Sequence, residues 1–180
     1  LPRLHPIEYL RPAQIDMHGN FNNLAIGKDY KRPRMRLPGS GGIPDVSVVY
    51  NDMHLYVPRH SRAVFVPRVD FVSGLGHTPD RKYGRGPVYL LSNLGQFDWH
   101  EGRMRLVSHH PGVAVRRIHA KTGFELAMAP EARETLPPTQ AEVNLLRETI
   151  DPLGLRKLET LGGAARKQHL RDILAAEHAL

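Results

Sequence analysis

The sequence contains no cysteine, which excludes disulfides and any metal or redox site built on thiolates. No run approaches the ~20 apolar residues that a membrane-spanning helix needs. No basic segment followed by an apolar one, as in a signal peptide, opens the chain. These absences predict a cytoplasmic protein with no membrane partner. At 180 residues and 41% hydrophobic content, the chain is long enough for one domain with a substantial core.

Acidic residues are outnumbered, and the 25 basic residues, 19 of them arginine, give a formal charge of +7. A compositional bias towards arginine, as in thermal adaptation, is one interpretation. A polyanionic ligand is the other, because guanidinium groups make bidentate contacts with phosphate. The arginines are scattered and accompany no nucleic-acid-binding motif, so we expect no nucleic acid. A phosphorylated cofactor would fit the composition as well.

Strands alternating with helices predict an α/β domain. Strands are predicted at 13–16, 21–26, 53–57, 63–73, 88–94 and 103–108, with turns at His18-Gly19-Asn20 and near His100-Glu101-Gly102. After Pro137-Pro138, Thr139 and Glu142 form a capping box that predicts a helix ending near Ile150. A separate, more polar helix is predicted from Gly162 onward. The predicted division is an α/β domain over residues 1–161 and a helical tail over residues 162–180.

The stretch LPGSGGIPDV, residues 37–46, places three glycines between the basic segment 31–36 and a predicted helix. Pro44 and Asp45 suit the first turn of that helix, which is predicted to continue to Tyr50. A strand, a glycine-rich bend and a helix N-terminus together can hold an anion, because glycine lets a ligand approach backbone N–H groups closely. The same sequence also suits an ordinary tight turn, and both interpretations stay open here.

Six segments in collinear order resemble the β subunit of family I CoA-transferases of the glutaconate CoA-transferase type. They are QIDMHGNFNN (14–23), RLPGSGGIPDV (36–46), VDFVSGLGH (69–77), SNLGQFD (92–98), RLVSHHPGV (105–113) and TGFEL (122–126). The resemblance extends from about Ala13 to Ile150. It implies an open three-layer α/β/α fold that works as a heteromer with a related α subunit. It also implies transfer of CoA from an acyl-CoA to a carboxylic acid, with CoA as substrate and no permanently bound cofactor or metal.

In that family a β-subunit glutamate attacks the thioester and then carries CoA as a glutamyl thioester, which splits a difficult exchange into two easier steps. The resemblance assigns the oxyanion hole to the loop Gly39–Gly42, with Gly39, Gly41 and Gly42 as its catalytic glycines. Its substrate- or CoA-binding residues are the polar side chains of the first two motifs: Gln14, Asp16, Asn20, Asn22 and Ser40. Asp and Asn beside a glycine turn also commonly bond only to their own backbone.

The family's glutamate precedes the first motif, whereas here Glu8 is the only acid before Gln14. We expect Glu8 to be a solvated or paired residue, and the domain to lack part of the family's N-terminal segment. The nucleophile would then lie on another polypeptide, be lost, or not be used.

Other candidate residues favour structural roles. His109-His110 beside Pro111-Gly112 suits a turn better than a metal site, because adjacent strand residues point apart and no third ligand is suitably spaced. Asp98 to His100 is expected at the rim of a hairpin. Ser73 lacks the G-x-S-x-G context of a hydrolase nucleophile.

Three functions therefore stay open. The first is a CoA-transferase β subunit, towards which the intact GSGG loop leans. The second is a CoA-thioester hydrolase subunit of the type that opens steroid-derived rings, which shares the architecture without the β-subunit glutamate; SNLGQFD and IDPLGLR (150–156) lean towards it. The third is a non-catalytic anion-binding module on the same fold.

Overall fold

The computed structural model describes residues 6–79 and 81–178, in two compact units that divide between Thr135 and Leu136. The strands of the first unit are β1 (Glu8–Leu10), β2 (Gln14–Ile15), β3 (Phe21–Asn22), β4 (Ala25–Ile26), β5 (Met35–Arg36), β6 (Met53–Val57), β7 (Pro87–Ser92), β8 (Gly95–His100), β9 (Arg103–His109) and β10 (Ala127–Glu134). Its helices are α1 (Ile43–Val49) and α2 (Val115–Lys121). The domain division predicted after residue 161 stays a prediction.

A six-stranded mixed sheet with strand order β1-β6-β7-β8-β9-β10 organises the first unit. Strands β1, β6 and β7 are parallel, so their carboxyl ends lie at one edge of the sheet. β7, β8 and β9 form an antiparallel meander, and β10 returns parallel to β9 after α2. The α/β class predicted from the sequence is therefore confirmed.

One face of this sheet carries the hydrophobic core. In β6, Met53, Leu55 and Val57 are buried while the alternate residues are only half-buried, as the two-residue period of a strand requires. The same face receives Phe97, Met104 and Leu106 from β8 and β9. Buried Phe21, Phe65 and Ile118 pack against them from outside the sheet.

The β2–β3 and β4–β5 pairs are two small antiparallel ribbons that lead to the glycine-rich loop. The turn at 18–20 joins β2 to β3, as predicted, with Gly19 at φ +78°. The extended run predicted at 21–26 is divided, because β3 pairs with β2 while β4 pairs with β5. The helix predicted after the loop is confirmed as α1, which ends one residue before Tyr50.

The strand predicted at 63–73 is wrong. That segment is irregular, and its β-type pairing with the described strands is limited to two isolated bridges, Ile15 to Phe65 and Phe21 to Gly74 at its end. Its alternating apolar residues still bury Phe65 and Val69 in the core. Pro67 lacks an N–H donor, which interrupts any continuous ladder along the segment.

Other strands follow the predictions more closely. The runs predicted at 53–57, 88–94 and 103–108 are confirmed as β6, β7 and β9, and the turn near Glu101 and Gly102 is present. The sequence analysis did not identify β8, β10 or α2. β8 follows β7 after only two residues, and the sequence prediction assigned its last three residues to the rim of a hairpin.

The second unit is helical. Thr139 and Glu142 form the predicted capping box at the start of α3 (Gln140–Asn144), which continues as a π-helical turn, Leu145–Ile150. A short 3₁₀ helix, Leu155–Glu159, precedes α4 (Gly163–His178), close to the predicted start at Gly162. None of the helices in the described residues is both long and apolar enough to cross a membrane.

Candidate functional site

The glycine-rich loop joins β5 to α1 and depends on backbone conformations that favour glycine. Gly39 and Gly41 have φ angles of +113° and +51°. Gly42 is the N-cap of α1 with φ −81°, which any residue can adopt. The loop is therefore the strand–bend–helix arrangement that the sequence predicts, with left-handed conformation at two of its glycines.

Backbone N–H groups of this loop have distinct environments. The Gly39 N–H donates to the Asn23 carbonyl at 3.2 Å. Within residues 6–79 and 81–178, the N–H groups of Ser40, Gly41 and Gly42 have no acceptor. A Cβ added at Gly41 or Gly42 would meet no heavy atom within 4 Å, so a ligand can approach both. Because α1 is only seven residues long, an anion at the loop would be stabilised more by hydrogen bonds from these N–H groups than by the dipole of the helix.

A cavity of about 420 Å³ lies beside the loop, at the carboxyl ends of β1 and β6. Its wall contains two residues of the loop, Pro38 and Gly39, and two arginines that follow the strands, Arg11 and Arg59. The remaining lining residues are Pro12, Ala13, Asn23, Val57, Pro58 and Val64. Ligands in open α/β sheets bind at the carboxyl ends of parallel strands, so this cavity is in the expected place for a ligand. We call it the acyl cavity, after the ligand that is proposed for it below.

Asn23 connects the glycine loop to the end of β1. Its side chain accepts a hydrogen bond from the Ala13 N–H at 2.9 Å and donates to the Arg11 carbonyl at 3.1 Å. Its own carbonyl receives the Gly39 N–H, and its N–H donates to the Ser73 hydroxyl at 2.8 Å. Asn23 therefore holds the loop against one wall of the acyl cavity. The sequence analysis did not single it out, because its partners are distant in sequence.

Gln14 and Asn22, two predicted binding residues, are buried and bonded to each other. The Asn22 amide donates to the Gln14 side-chain carbonyl at 2.8 Å and to the Ala25 carbonyl at 2.7 Å. Gln14 in turn donates to the Asp70 carboxylate at 3.2 Å. These polar atoms hold β2, β3 and the segment around Asp70 together. Their role in substrate binding stays a prediction.

Asp16 and Asn20 organise the turn between β2 and β3. The Asp16 carboxylate accepts the backbone N–H groups of His18 and Asn20, both at 3.0 Å, and the Asn20 amide at 3.1 Å. Burial raises the pKa of Asp16, and these hydrogen bonds act in the opposite direction. Ser40, the fifth predicted binding residue, lies in the glycine loop, where its carbonyl accepts the Ile43 N–H at 2.9 Å. The structure thus places Ser40 in the glycine loop and the other four in hydrogen-bonded groups of β2, β3 and the turn between them.

His60 is a buried residue that the sequence analysis missed. Its ring bonds to the hydroxyls of Ser92 at 3.1 Å and Thr122 at 3.0 Å, and it stacks on Phe65 with ring centroids 3.6 Å apart. Burial, assisted by the nearby charge of Lys121, lowers the pKa of His60 to about 4. The ring is therefore neutral and ties the loop after β6 to β7 and the end of α2. No local sequence signal could have identified partners 32 and 62 residues away.

Three of the remaining candidates, His110, Ser73 and Asp98, have structural partners. His110 bonds to the Thr135 hydroxyl and the Ser92 carbonyl, and Ser73 donates to the Phe21 carbonyl. Asp98 forms a two-point ion pair with Arg105 at 2.7 and 2.9 Å on the β8–β9 hairpin. In the described part of the chain, no three histidine or carboxylate side chains are grouped to hold a metal ion.

Glu8 begins β1, at the end opposite to the acyl cavity, and its N–H donates to the Asp52 carbonyl at 3.1 Å. It is not one of the residues that line the acyl cavity, and those lining residues include no carboxylate.

The fold and this site define an α/β protein with a glycine-rich loop and a cavity at the carboxyl ends of parallel strands. Residues 9–121, more than half of the chain, match the Coenzyme A transferase family. The chain belongs to this family.

Named relatives include both transferases and hydrolases. One subunit of the glutaconate CoA-transferase of Acidaminococcus fermentans is 32% identical over 157 residues, which are 81% of this chain and 57% of the relative. The cholesterol ring-cleaving hydrolase IpdB subunit of Mycobacterium tuberculosis is 38% identical over 153 residues, 81% of this chain and 60% of the relative. The crystal structure of Rhodococcus jostii RHA1 IpdAB superposes with a TM-score of 0.73 at 33% identity, over 83% of this chain and 62% of that one. The chain thus spans about three fifths of the length of these relatives.

Proposed function

We propose that this chain is the β-type subunit of a two-subunit enzyme that acts on acyl-CoA, with transfer of CoA to a carboxylate as its reaction. The observation that carries the proposal is the glycine loop. In the part of the chain that the structure describes, the N–H groups of Gly41 and Gly42 have no acceptor, and the first residues of the loop form one wall of the acyl cavity. Donors held in this way stabilise the negative oxygen that forms when a carbonyl is attacked.

The transfer proceeds through an acyl anhydride and an enzyme-bound CoA thioester. A carboxylate attacks the thioester carbonyl, the electron pair moves to oxygen, and the loop N–H groups stabilise the resulting oxyanion. Collapse expels CoA thiolate and leaves an acyl anhydride. The thiolate then attacks the carboxyl carbon of the attacking residue, which releases the free acid and leaves an enzyme-bound CoA thioester. The acceptor acid repeats the sequence in reverse, and no net proton or electron is consumed.

Ring-cleaving hydrolysis is the second candidate, and the sequence identities of the relatives favour it. The IpdB relatives are 36–38% identical to this chain, compared with 31–32% for the CoA-transferase subunits. In this reaction water would attack a ring carbonyl of a cyclic acyl-CoA, and the same loop would stabilise the oxyanion. Collapse of the oxyanion would break the adjacent ring C–C bond, the departing carbon would take up a proton released by the water, and the former carbonyl would become a carboxylate.

The partner proposed for either reaction is an α-type subunit, because the resembling family works as a heteromer and IpdAB is named as a complex of two components. We therefore expect the chain to be inactive alone and active after co-purification with this partner. Transfer at the full rate by the isolated chain would contradict the two-subunit proposal.

One experiment separates the functions. The assembled complex is incubated with an acyl-CoA and a labelled free acid, and a parallel sample receives an acyl-CoA that carries a ring ketone. Transfer yields labelled acyl-CoA, and preincubation with acyl-CoA alone makes the enzyme sensitive to borohydride, which reduces an enzyme-bound thioester. Hydrolysis instead yields an opened product heavier by one water, with no labelled acyl-CoA. Binding without either product would support the non-catalytic alternative and overturn the proposal.

A further inference from the structure

The segment between β4 and β5 concentrates positive charge next to the glycine loop. Five of its residues are basic and exposed: Lys28, Lys31, Arg32, Arg34 and Arg36. The only acid in the segment, Asp29, accepts the Lys31 N–H at 2.9 Å. We call residues 25–36 the basic hairpin. Its charge is local in sequence and leads directly into the loop at residues 37–42.

Several contacts fix this hairpin on the domain. The Gly27 N–H donates to the Asp70 carboxylate at 2.8 Å. Arg36 donates to the Tyr30 carbonyl at 2.7 Å, and its guanidinium lies 4.5 Å above the Tyr30 ring. The Tyr30 ring also packs edge to face against the Phe71 ring, with ring centroids 5.6 Å apart. These contacts order the hairpin that carries the exposed cations Lys28 and Arg34.

A second cavity of about 600 Å³ lies against the hairpin. Lys28 and Arg34 supply its positive charge. Its walls are mostly apolar, from Ala13, Ile26, Met35, Leu37, Ala63, Val64 and Val66. The one carboxylate in the lining, Asp70, is already bonded to the Gly27 N–H and the Gln14 amide. The cavity therefore combines two cations, which form no ion pair among the described residues, with one carboxylate and mostly apolar walls, and its volume is that of a small-molecule site.

The second cavity adjoins the acyl cavity, because Ala13 and Val64 line both of them. A ligand with a carbonyl at the glycine loop could thus extend along the domain and place its other end beside Lys28 and Arg34. To match this cavity, that end of the ligand would carry a flat ring that can pack against the apolar walls, and phosphates that can pair with the two cations.

We propose that the second cavity and the basic hairpin bind the phosphorylated adenosine end of the acyl-CoA. The choice of ligand rests on the proposed function, which places the thioester at the glycine loop. Adenosine 3′,5′-bisphosphate supplies a flat base for the apolar walls and phosphates for Lys28 and Arg34. Charge-assisted hydrogen bonds from lysine and arginine to phosphate are the contacts that suit this chemistry.

The test compares two double variants of the assembled complex with matched loss of charge. Lys28→Gln/Arg34→Gln removes the cavity cations, and Arg116→Gln/Arg117→Gln removes two exposed cations of α2. Calorimetric titration with adenosine 3′,5′-bisphosphate is expected to show binding weakened about 10- to 100-fold in the first variant and unchanged in the second. Rising salt should weaken binding to the parent complex more than to the first variant. Equal affinity in the parent and first variant, or equal weakening in both variants, would overturn the proposal.

Two further arms identify the ligand and separate this site from the reaction. Inorganic pyrophosphate should bind more weakly than the nucleotide, and equal affinity would overturn a site for adenosine. In the kinetic arm, Lys28→Gln/Arg34→Gln should raise KM for acyl-CoA without changing KM for the acyl-pantetheine, which lacks the nucleotide. An equal rise for both substrates would contradict the proposal. Titration does not require turnover, so nucleotide binding can be confirmed even if the proposed reaction is not observed. Likewise, the reaction can be confirmed even if the nucleotide does not bind at this site.

Discussion

Replacement of Gly42 separates an oxyanion-binding loop from a purely structural turn. Gly42 has φ −81°, close to the value that proline imposes, and a side chain there would meet nothing within 4 Å. Gly42→Pro therefore removes one N–H donor without requiring a change in φ. Because that N–H has no acceptor within the described residues, its loss breaks no hydrogen bond of the fold.

The expected magnitude follows from what the N–H does in the reaction. Loss of one preorganised donor to an oxyanion costs about 3 kcal/mol of transition-state stabilisation, or roughly 100- to 1000-fold in kcat. Gly42→Ala keeps the donor but adds a methyl group to the open side of the loop, so a smaller loss of kcat is expected. The free energy of unfolding of both variants should stay within about 1 kcal/mol of the parent, because the φ angle of Gly42 suits both residues and its N–H has no acceptor among the described residues.

Gly39→Ala is the matched structural control. At φ +113° any side chain strains the backbone, and the Gly39 N–H is already bonded to Asn23. We expect this variant to lose about 1–2 kcal/mol of stability while each folded molecule keeps more activity than Gly42→Pro.

The assay measures kcat in the assembled complex together with urea unfolding and the yield of complex. Near-normal kcat per folded molecule in Gly42→Pro, with normal complex formation, would refute the assignment of this N–H to the oxyanion. A loss of kcat that only parallels the loss of folded protein would mean that the loop is a turn.

Three further predictions concern the parts that hold the site in place. Asn23→Ala removes two side-chain hydrogen bonds, so it should lower the free energy of unfolding by about 2 kcal/mol and also lower kcat. Asn23→Asp keeps the acceptor for the Ala13 N–H and should be less affected. Equal kcat in Asn23→Ala and the parent would contradict the positioning role of Asn23. Because burial lowers the pKa of His60 from 6.5 to about 4, the unfolded chain binds more protons than the folded protein between these pH values. The contribution of His60 to the free energy of unfolding therefore falls by about 3 kcal/mol as the pH drops from 6.5 to 4. In urea unfolding, stability should fall less steeply with acid for His60→Gln than for the parent, and an unchanged slope would refute this. Gly76→Ala would drive a Cβ into the backbone of His18 and Asn20, so thermal unfolding should show a loss of about 3 kcal/mol or more of stability. Gly42→Ala creates no such clash and should not show this loss. A parent-like Tm for Gly76→Ala would show that the turn at His18 can shift.

Local signals in the sequence determined the parts of the fold whose partners are nearby. The capping box at Thr139 and Glu142, the glycine-rich bend before α1 and the turn before β9 each depend on residues a few positions apart, and each is present. The order of six motifs likewise indicated the family to which the chain belongs. Residue identity was sufficient in these cases because backbone conformation and capping are set over short distances.

Tertiary structure alone decided how distant segments combine. The run at 63–73 has the alternation of a strand, yet its N–H groups find partners only at scattered points such as the Ile15 and Phe21 carbonyls. Strand pairing depends on which edge is free, and that depends on segments far away in the sequence. For the same reason only the fold revealed Asn23 as the link between the glycine loop and β1, His60 between Ser92 and Thr122, and the basic hairpin beside an apolar cavity. Each of these groups was visible in the sequence as a residue type, but its chemistry is set by neighbours that chain folding brings within a few ångströms.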